Sequence, residues 1–515
     1  MILIYLVILL WFGTRFVLCD NDDYKNLFTD TTYKNYWARF YTLQKICKNP
    51  DKYYKTLLLA YEHKEEPIFE LASHCLSQLK DRNNINDFIK NYIDGIKSTH
   101  RAKDSLTILA RLSHKEVIER LDKLNDSLKS VALNALLETK LDDKTVNIVK
   151  KFLKSKSDEV KINVLKILIK AKSIDKKEIM QFLKTTNKAL KFQSLRALCL
   201  VDKEQCSDIL IKESATKNNV ELCNLINIVK DYGLEDIYES ILKDIDNTKD
   251  FLKKKIVFSG LPVLNDDRFK EVILKYWKEL STNFLSLLFN VYLKKFNESP
   301  EEITLEKVYK VLSERPQEGF RTSGIPVFFT LPVYGKKIVF IIDMSGSMAR
   351  KVKGSNVTKF ELAQKELEKV LNDFGPDIKF NIILINSETD KLKLRQFSPN
   401  LVPTRKDEIK KAMNYLNNAW EKLQEVKRGR SDIYDALSIA LNIPELDTII
   451  LLTDGNPTWG KYTLRNNILR EITLQNMCKL VSINAIATGA GKEGYDFLKR
   501  LSLDNFGIFK KVKED

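Results

Sequence analysis

Three polar segments in the C-terminal part of the chain carry residue types that bind hard metal ions. The apolar run KIVFIID ends at Asp343, and Ser345 and Ser347 follow it at every second position. The run DTIILLTDG brings Asp454 to the end of a second apolar stretch, and GRSDIYDAL contributes Ser431. Carboxylate and hydroxyl oxygens favour Mg²⁺, Mn²⁺ or Ca²⁺. Softer ligands are not offered beside these segments, because the four histidines of the chain all lie in its N-terminal quarter and Cys478 lies at the end of a helix far along the chain.

These residues need elements that bring them to one place, and the pattern after residue 336 supplies them. Apolar strand-like runs alternate with amphipathic helices, which predicts a mainly parallel sheet covered on both faces. The predicted strands are 337–343, 378–386, 447–453 and 481–487, and the predicted helices are 358–373, 405–423, 432–442 and 462–479. A further helix and an edge strand follow. Asp343 and Asp454 then both lie at carboxyl ends of strands, where open parallel sheets bind ligands, and Ser431 is expected to be the N-cap of its helix.

In order and spacing, FIIDMSGSM, SDIYDAL and LLTDGNPTWG resemble the metal-ion-dependent adhesion site of von Willebrand factor type A domains. The resemblance covers roughly residues 325–515. It implies that the hydroxyls of Ser345, Ser347 and Ser431 bind the metal directly. Asp343 and Asp454 would hold metal-bound waters or the serines. One departure is clear, since the family usually carries threonine where this chain has Ser431, and serine lacks the β-methyl group that restricts the rotamer.

Other interpretations of these segments remain open. Asp-x-Ser-x-Ser after a strand also occurs in loops in which side chains bond to their own backbone. Asp432 is expected to add negative charge to the site. Trp459 is either a partner-contact residue or packs against the neighbouring loop. The GAGKEG stretch, 489–494, fits a glycine-rich nucleotide motif formally, but it follows the last core strand and we interpret it as a strand-to-helix turn.

From about residue 25 to 310 the pattern is helical, with few Gly or Pro residues. Three segments, DSLKSVALNAL, DEVKINVLKIL and KALKFQSLRAL, repeat one apolar face at intervals of about thirty residues. The corresponding positions are Leu128, Val160 and Leu190, then Leu133, Leu165 and Leu195, and finally Leu136, Leu168 and Leu198. Stacked helix pairs bury such faces against their neighbours, and the segments resemble divergent HEAT repeats. The recurring Lys129, Lys161 and Lys191 face solvent or cap a neighbouring turn; a polyanion-binding ladder is the alternative.

The sequence therefore predicts a multidomain chain with an N-terminal α-solenoid and a C-terminal α/β doubly wound, Rossmann-like type A domain. The predicted divisions are a signal peptide at 1–19, the HEAT-like solenoid at 20–312, a proline-containing linker at 313–335 and the type A domain at 336–515. The first segment is apolar with a single arginine, which favours a cleaved export signal, with an uncleaved signal anchor as the alternative. No other stretch is long and apolar enough to span a bilayer.

Charge and cysteine content bear on compartment and partners. The net charge of +16 makes acidic partners plausible, and removal of the first segment leaves six cysteines. An even count in an exported chain permits disulfides, with Cys206 and Cys223 as the best pair and buried free thiols as the alternative. We expect a secreted, periplasmic or cell-surface protein.

The predicted function is non-enzymatic. A type A domain on a helical scaffold is expected to capture an Asp or Glu of a protein partner through Mg²⁺, with Mn²⁺ or Ca²⁺ as alternatives. Two further hypotheses are polyanion binding by the basic solenoid, including anionic glycans, and a metal-dependent hydrolase. The hydrolase is disfavoured because the domain offers no histidine as a general base. Nucleic acid is not expected as a partner of an exported chain.

Overall fold

The computed structural model describes most of the chain between residues 27 and 512. The described ranges are 27–29, 36–94, 99–216, 218–245, 248, 250–277, 291, 295–296, 326–329, 331–333, 335–352, 355–426 and 429–512. The predicted signal segment, 1–19, lies outside them, as does most of the predicted linker. Across the described ranges, no helix combines the length and apolar character that a bilayer span requires. The domain limits predicted at residues 19, 312 and 335 stay predictions.

The chain forms two compact units, which divide between Asp202 and Lys203. The first unit is helical throughout its described residues, and its short helices follow one another through tight turns. Its helices are α1 Tyr36–Ile46, α2 Tyr54–Tyr61, α3 Glu66–Leu76, α4 Arg82–Ile89, α5 Thr99–Leu112, α6 His114–Arg120, α7 Asp126–Leu136, α8 Asp143–Lys150, α9 Asp158–Lys170, α10 Lys176–Met180 and α11 Lys188–Val201.

The three predicted repeats correspond to α7, α9 and α11, which pack in that order side by side. Each helix begins after a polar N-cap whose side chain accepts a hydrogen bond from the backbone three residues on: Asn125, Ser157 and Asn187. The six repeated leucines from position 133 to position 198 are fully buried. Between repeats, the buried Asn163 amide donates to the Ser130 carbonyl and lies 3.0 Å from its hydroxyl oxygen. The repeat prediction is compatible with this helical architecture.

Two of the recurring lysines, Lys129 and Lys161, are engaged within their own repeats. Lys161 forms an ion pair of 3.0 Å with Asp158 in the first turn of its helix and lies over the Phe182 ring. Lys129 likewise forms an ion pair of 3.9 Å with Asp126 and lies over the Phe152 ring. Both lysines therefore pair with an acid in the first turn of their own helix and lie over an aromatic ring.

The second unit opens with helices and continues into an α/β part. Its helices are α12 Lys203–Ser214, α13 Asn219–Tyr232, α14 Glu235–Lys243, α15 Phe251–Phe258, α16 Asp266–Trp277, α17 Lys359–Asp373, α18 Lys406–Val426, α19 Ile433–Leu441, α20 Arg465–Asn476 and α21 Lys492–Asp504. Its strands are β1 Val327–Phe328, β2 Leu331–Pro332, β3 Lys337–Asp343, β4 Lys379–Ile385, β5 Val402–Pro403, β6 Thr448–Thr453, β7 Ser482–Ala487 and β8 Phe509–Lys511.

Six of these strands form one sheet in the order β5-β4-β3-β6-β7-β8. Every neighbouring pair is parallel except β4 and β5, which are antiparallel. The chain starts at β3, moves outward to β4, and then returns to β6 on the other side of β3. The order of strands therefore reverses between β3 and β6. The α/β doubly wound prediction is confirmed, and the reversal marks the point where such sheets bind ligands, beyond the carboxyl ends of the strands.

Alternating side chains of the strands build two cores, one on each face of the sheet. On β3, Phe340 and Ile342 face the core that α17 and α18 cover. Val339 and Ile341 face the core that α19, α20 and α21 cover. A period of two on a fully buried strand explains the continuous apolar run in the sequence. This double burial fixes where β3 ends and hence where Asp343 lies.

A short hairpin and a two-residue strand lie outside the four core strands and the final edge strand that the sequence predicts. The hairpin of β1 and β2 falls within the segment predicted as a linker, and its Phe328 and Leu331 are buried in the core on the α17 side. The two-residue strand β5 extends the sheet beside β4. Both are too short to show a period-two pattern in the sequence.

Cysteine pairing differs from the pair favoured by the sequence. Cys223 of α13 forms a disulfide with Cys478, 255 positions further on, with their Cα atoms 5.8 Å apart. Cys206 is disulfide-bonded elsewhere, so the Cys206–Cys223 prediction is wrong. In the first unit Cys47 pairs with Cys75. Proximity along the chain was the basis for the predicted pair, and folding brings α13 to the turn after α20 instead.

A buried lysine lies close to the Cys223–Cys478 disulfide, where α15 meets the segment after α20. Lys255 of α15 is 3% exposed, and its ammonium donates a hydrogen bond of 3.1 Å to the Leu480 carbonyl. Burial lowers the pKa of Lys255, and attraction to the carboxylate of Asp447 opposes this change. Asp447 in turn accepts hydrogen bonds from the backbone of Lys336 and Lys337 at the start of β3. Helices α13 and α15 are therefore bound to the amino-terminal edge of the sheet.

Candidate metal site

Asp343 and Asp454 lie at the reversal point of the sheet, as the sequence predicts. Asp343 is the last residue of β3, and Asp454 directly follows β6, its neighbour in the sheet. Asp343 is fully buried, whereas Asp454 is half-buried. The two strands thus bring two carboxylates, 111 positions apart in the sequence, to the same edge.

The Asp343 carboxylate organises the loop that follows it. Oδ1 accepts a hydrogen bond of 2.8 Å from the backbone N–H of Ser345. Oδ2 accepts one of 2.7 Å from the hydroxyl of Thr453, the last residue of β6. The hydroxyl oxygens of Ser345 and Ser347 lie 2.9 Å apart. Two predicted hydroxyl ligands are therefore neighbours on a loop that Asp343 holds in shape.

The electrostatics of this pocket favour a cation. Burial raises the pKa of Asp343 to about 7, and repulsion from Asp454 adds to the rise. Hydrogen bonds from Ser345 and Thr453 partly offset it. A buried carboxylate beside a second carboxylate is costly to ionise unless positive charge is supplied. Because a divalent cation would relieve this cost, the donor set fits such an ion.

A second loop brings Ser431 toward the first. A Cβ atom on Gly429 would collide with the backbone nitrogen of Gly346, so the main chains of the two loops are in close contact at this point. The backbone of Ser431 is held by the loop after β6: its N–H donates to the Thr458 hydroxyl at 2.9 Å, and its carbonyl accepts from the N–H groups of Thr458 and Trp459. The structure therefore places Ser431 at the same edge.

Ser431 is not the N-cap of α19, contrary to the sequence prediction. The helix begins at Ile433, so Asp432 occupies the cap position, and it makes no side-chain capping bond. The reason lies in the backbone of Ser431, which is bonded to the neighbouring loop instead of starting a helical turn. The buried Ser431 side chain is thereby not committed to capping.

Asp432 is paired with a cation. Its carboxylate forms an ion pair with the guanidinium of Arg395, which also makes a bidentate pair with Asp390 at 2.8 Å for both bonds. A third guanidinium nitrogen donates to the Leu384 carbonyl on β4. Burial raises the pKa of Asp432 to about 6, although Arg395 lowers it. Through Arg395, Asp432 anchors the Ser431 loop to β4.

Trp459 packs on the Ser431 loop. The guanidinium of Arg430 lies 4.3 Å from the centre of the Trp459 ring, and Arg430 is itself buried. Trp459 thus packs against the neighbouring loop, which is one of the two alternatives proposed from the sequence.

Sequence reasoning missed three supporting residues: Thr453, Thr458 and Arg395. Thr453 precedes Asp454 directly, so a buried hydroxyl at the end of an otherwise apolar strand was an available signal. No spacing rule points to Thr458 or Arg395, because each acts on a residue 27 or 37 positions away. In the described part of the chain, no group of three or more His, Cys, Asp or Glu side chains is arranged to bind a metal. A metal at this edge would therefore depend on hydroxyl ligands.

A known protein family matches the part of the chain that contains this edge of the sheet. Residues 338–456 match the family model for the von Willebrand factor type A domain. The chain contains a von Willebrand factor type A domain. The matched region runs from β3 through the residues just after β6, and so includes both carboxylates and all three serines of the candidate site.

Similar curated proteins are heavy chains of the inter-alpha-trypsin inhibitor. The chain is 29% identical to heavy chain 4 of Mus musculus over 202 residues, which is 36% of this chain and 19% of that protein. It is 30% identical to heavy chain H4 of Homo sapiens over 196 residues, 35% of this chain and 18% of the relative. It is also 29% identical to heavy chain H3 of Bos taurus over 231 residues, which is 40% of this chain and 23% of that protein. The alignments thus cover about a fifth of the length of these relatives. No solved structure gives a significant match.

Proposed function

We propose that this protein is a non-enzymatic binding protein whose type A domain captures an acidic residue of a protein partner through a divalent cation. Mg²⁺ is the preferred ion, with Mn²⁺ or Ca²⁺ as alternatives. The hydroxyls of Ser345, Ser347 and Ser431 would bind the ion, and Asp343 and Asp454 would hold it through water or through the serines. Bound in this way the ion supplies an electrophilic site that a partner carboxylate can enter.

The observation that carries this proposal is the environment of Asp343. A fully buried carboxylate lies at the reversal point of the sheet, its pKa is raised, and the nearest loop presents two adjacent hydroxyls. Such a cluster is destabilising without a cation and favourable with one. The type A domain match and the likeness to inhibitor heavy chains support a binding role over catalysis.

We further propose that the protein acts outside the cytosol, as a secreted or surface-associated scaffold. Disulfides such as Cys47–Cys75 and Cys223–Cys478 persist in oxidising compartments. Polyanion binding by the helical repeats is less favoured, because Lys129 and Lys161 are engaged by acids and aromatic rings of their own repeats. A hydrolase is also less favoured, since the sequence has no histidine after His114.

Calorimetric titration of the full chain with MgCl₂ and MnCl₂ tests the metal site directly. We expect saturable binding of one ion, and an Asp343→Asn variant should bind it at least roughly tenfold more weakly. Asn is close in shape to Asp, so thermal unfolding monitored by circular dichroism can establish that the variant folds. Asp377→Ala, which removes an exposed carboxylate in the loop before β4, is the matched control. Absence of saturable binding to the folded wild-type chain would refute the proposal.

A further inference from the structure

The chain contains three Asn-x-Ser/Thr sequons, the acceptor pattern for N-linked glycans in exported proteins, at Asn125, Asn297 and Asn356. Asn297 lies outside the described residues. Asn125 is the N-cap of α7, and its side-chain oxygen accepts a hydrogen bond from the backbone N–H of Leu128. Asn356 caps no helix, so the sequon at 356–358 is the one whose asparagine has no part in a helix end.

Asn356 lies on an exposed loop between β3 and α17. Lys351 and Thr358 form an isolated antiparallel bridge, and the N–H of Val352 donates to the Val357 carbonyl at 2.9 Å. Asn356 is exposed, and its neighbour Val357 is 42% exposed. Because this side chain is at the surface, a glycan attached to it can extend into solvent while the core stays packed. The glycan would also shield the apolar surface of Val357.

The local fold does not itself require asparagine at this position. Turns favour asparagine where the backbone is left-handed, because few other side chains tolerate a positive φ. The backbone at Asn356 does not have a positive φ. Its side-chain oxygen accepts a hydrogen bond of 3.2 Å from the ammonium of the exposed Lys351. That bond does not use the amide nitrogen, which is the atom that carries a glycan.

We infer that Asn356 is a site of N-linked glycosylation. The inference rests on the proposed location of the protein outside the cytosol. The co-substrate is an oligosaccharide carried on a lipid diphosphate. A bond forms between Nδ2 of Asn356 and the anomeric carbon of the first sugar, and the bond from that carbon to the diphosphate oxygen breaks. Nδ2 gives up one proton, the lipid diphosphate leaves, and no group is oxidised or reduced.

Thr358 supplies the hydroxyl that the sequon requires two positions after the asparagine. In the folded chain this hydroxyl also caps α17, since it accepts a hydrogen bond of 3.1 Å from the Glu361 N–H and donates one of 2.9 Å to the Glu361 carboxylate. The two roles do not conflict, because glycans are transferred as the chain enters the secretory pathway, before the helix packs. Substitution can separate them: Asp caps helices at least as well as Thr but does not complete a sequon. Asp175 and Glu178 form such a capping box at α10 of the same chain.

Expression of the full chain, with its own N-terminal segment, in cultured animal cells tests the inference. Peptide-N-glycosidase treatment of the purified protein in heavy-oxygen water converts each glycosylated Asn to a labelled Asp, which peptide mass spectrometry locates. We expect label at Asn356 in wild type and in Thr358→Ser, and loss of that label in Asn356→Gln and Thr358→Asp. The exposed Asn456 precedes Pro457, which blocks the sequon. It should stay unlabelled and so controls for chemical deamidation.

A secreted wild-type chain without label at Asn356 would overturn the inference. Thermal unfolding followed by circular dichroism establishes that Thr358→Asp still folds, so that loss of label reports on the sequon and not on the helix cap. Label that persists in Thr358→Asp would also overturn the inference, because modification would then be independent of the sequon. Retention of the whole chain inside the cell, unmodified, would refute the proposed location and this inference with it. Titration with Mg²⁺ before and after deglycosylation tests the metal site separately, since absence of binding in both forms would refute that site and leave the glycan assignment intact.

Discussion

At the scale of single residues, the candidate site depends on how firmly Ser431 is held. Threonine at this position would restrict its own rotamer, but serine does not. In this chain the surroundings fix the backbone instead, since Thr458 and Trp459 bond both backbone groups of Ser431. Arg395 fixes the next residue, Asp432. The backbone is therefore well ordered, and the remaining freedom is that of one hydroxyl.

A Ser431→Thr variant should bind Mg²⁺ a few times more tightly than wild type. The added β-methyl reduces the rotamer entropy lost when the hydroxyl binds the ion. Titration calorimetry measures the change, and Ser438→Thr, on α19 and away from the edge, provides the control. Unchanged or weaker affinity in a folded Ser431→Thr protein would mean either that the contacts of the Ser431 loop already fix the hydroxyl or that the methyl group does not fit.

Removing the Arg395 guanidinium, which pairs with Asp432, should destabilise the fold. Arg395→Met leaves Asp432 buried without its partner, and breaking a buried ion pair in this way costs about 3–5 kcal/mol in the free energy of unfolding. Because the loss arises from the orphaned charge, Arg395→Met/Asp432→Asn should recover part of it. Urea unfolding of the three proteins measures both effects. A double variant no more stable than the single one would show that shape, not charge, is the cause.

The positions of Asp343 and Asp454 were predictable because both residues lie at strand ends. Asp343 and Asp454 terminate runs that a parallel sheet must bury, and the sheet aligns those ends. The residues that support them were not predictable, since Arg395 reaches Asp432 only after the turn beyond β4 folds back along the strand. The local pattern of apolar residues shows where a strand or helix ends. It contains no information on which distant side chain pairs with the residues at that end.

At the scale of elements, the helical repeats were visible because their leucines recur on one face and each helix has its own N-cap. The turns between helices contain specific side-chain contacts that the repeat pattern does not predict. His63, between α2 and α3, is 7% exposed, and its Nδ1 accepts a hydrogen bond of 3.2 Å from the backbone N–H of Glu65. That bond requires an unprotonated Nδ1. Glu65 also pairs with the buried Arg39 at 3.1 Å.

Acid should therefore loosen the α2–α3 turn. Burial, together with the nearby Arg39 cation, lowers the pKa of His63 to about 4, whereas the unfolded chain titrates near 6.5. Since the unfolded state takes up the proton first, stability is lost as the pH falls from about 6.5 to 4 and is constant above this window. Attraction to Glu65, 3.6 Å from Nδ1, and residual solvent limit the loss to about 1–2 kcal/mol.

Hydrogen exchange of the α2 and α3 amides at pH 7 and pH 4.5, corrected for intrinsic rates, measures this effect. In a His63→Asn variant the amide oxygen can replace Nδ1 as acceptor without titrating. The variant should keep the same protection at both pH values. If wild type and variant lose protection equally on acidification, the histidine is not the responsible group.

At the scale of the whole molecule, the second unit joins helices to the type A domain at the edge opposite the candidate metal site. Cys478 follows α20 and pairs with α13, and Lys255 binds the Leu480 carbonyl two residues further on. Asp447, at the start of β6, lies near the Lys255 ammonium, while Asp454 follows the other end of the same strand. The carboxyl edge of the sheet is thus left clear of these attachments. No sequence pattern could reveal a pairing across 255 positions.

Breaking that pairing should destabilise the second unit selectively. A disulfide closing so long a loop restricts the unfolded chain strongly, and its loss typically costs about 2–4 kcal/mol. Cys223→Ser/Cys478→Ser should therefore lower the unfolding temperature of the second unit and increase exchange of α13 and α15 amides. The matched control, Cys47→Ser/Cys75→Ser, should destabilise the first unit and leave α13 and α15 protected. Because the type A sheet has two buried cores of its own, Mg²⁺ affinity should change less than threefold in either variant. Equal loss of protection in both units on removing Cys223–Cys478 would show that the division at Asp202 is not a boundary of stability.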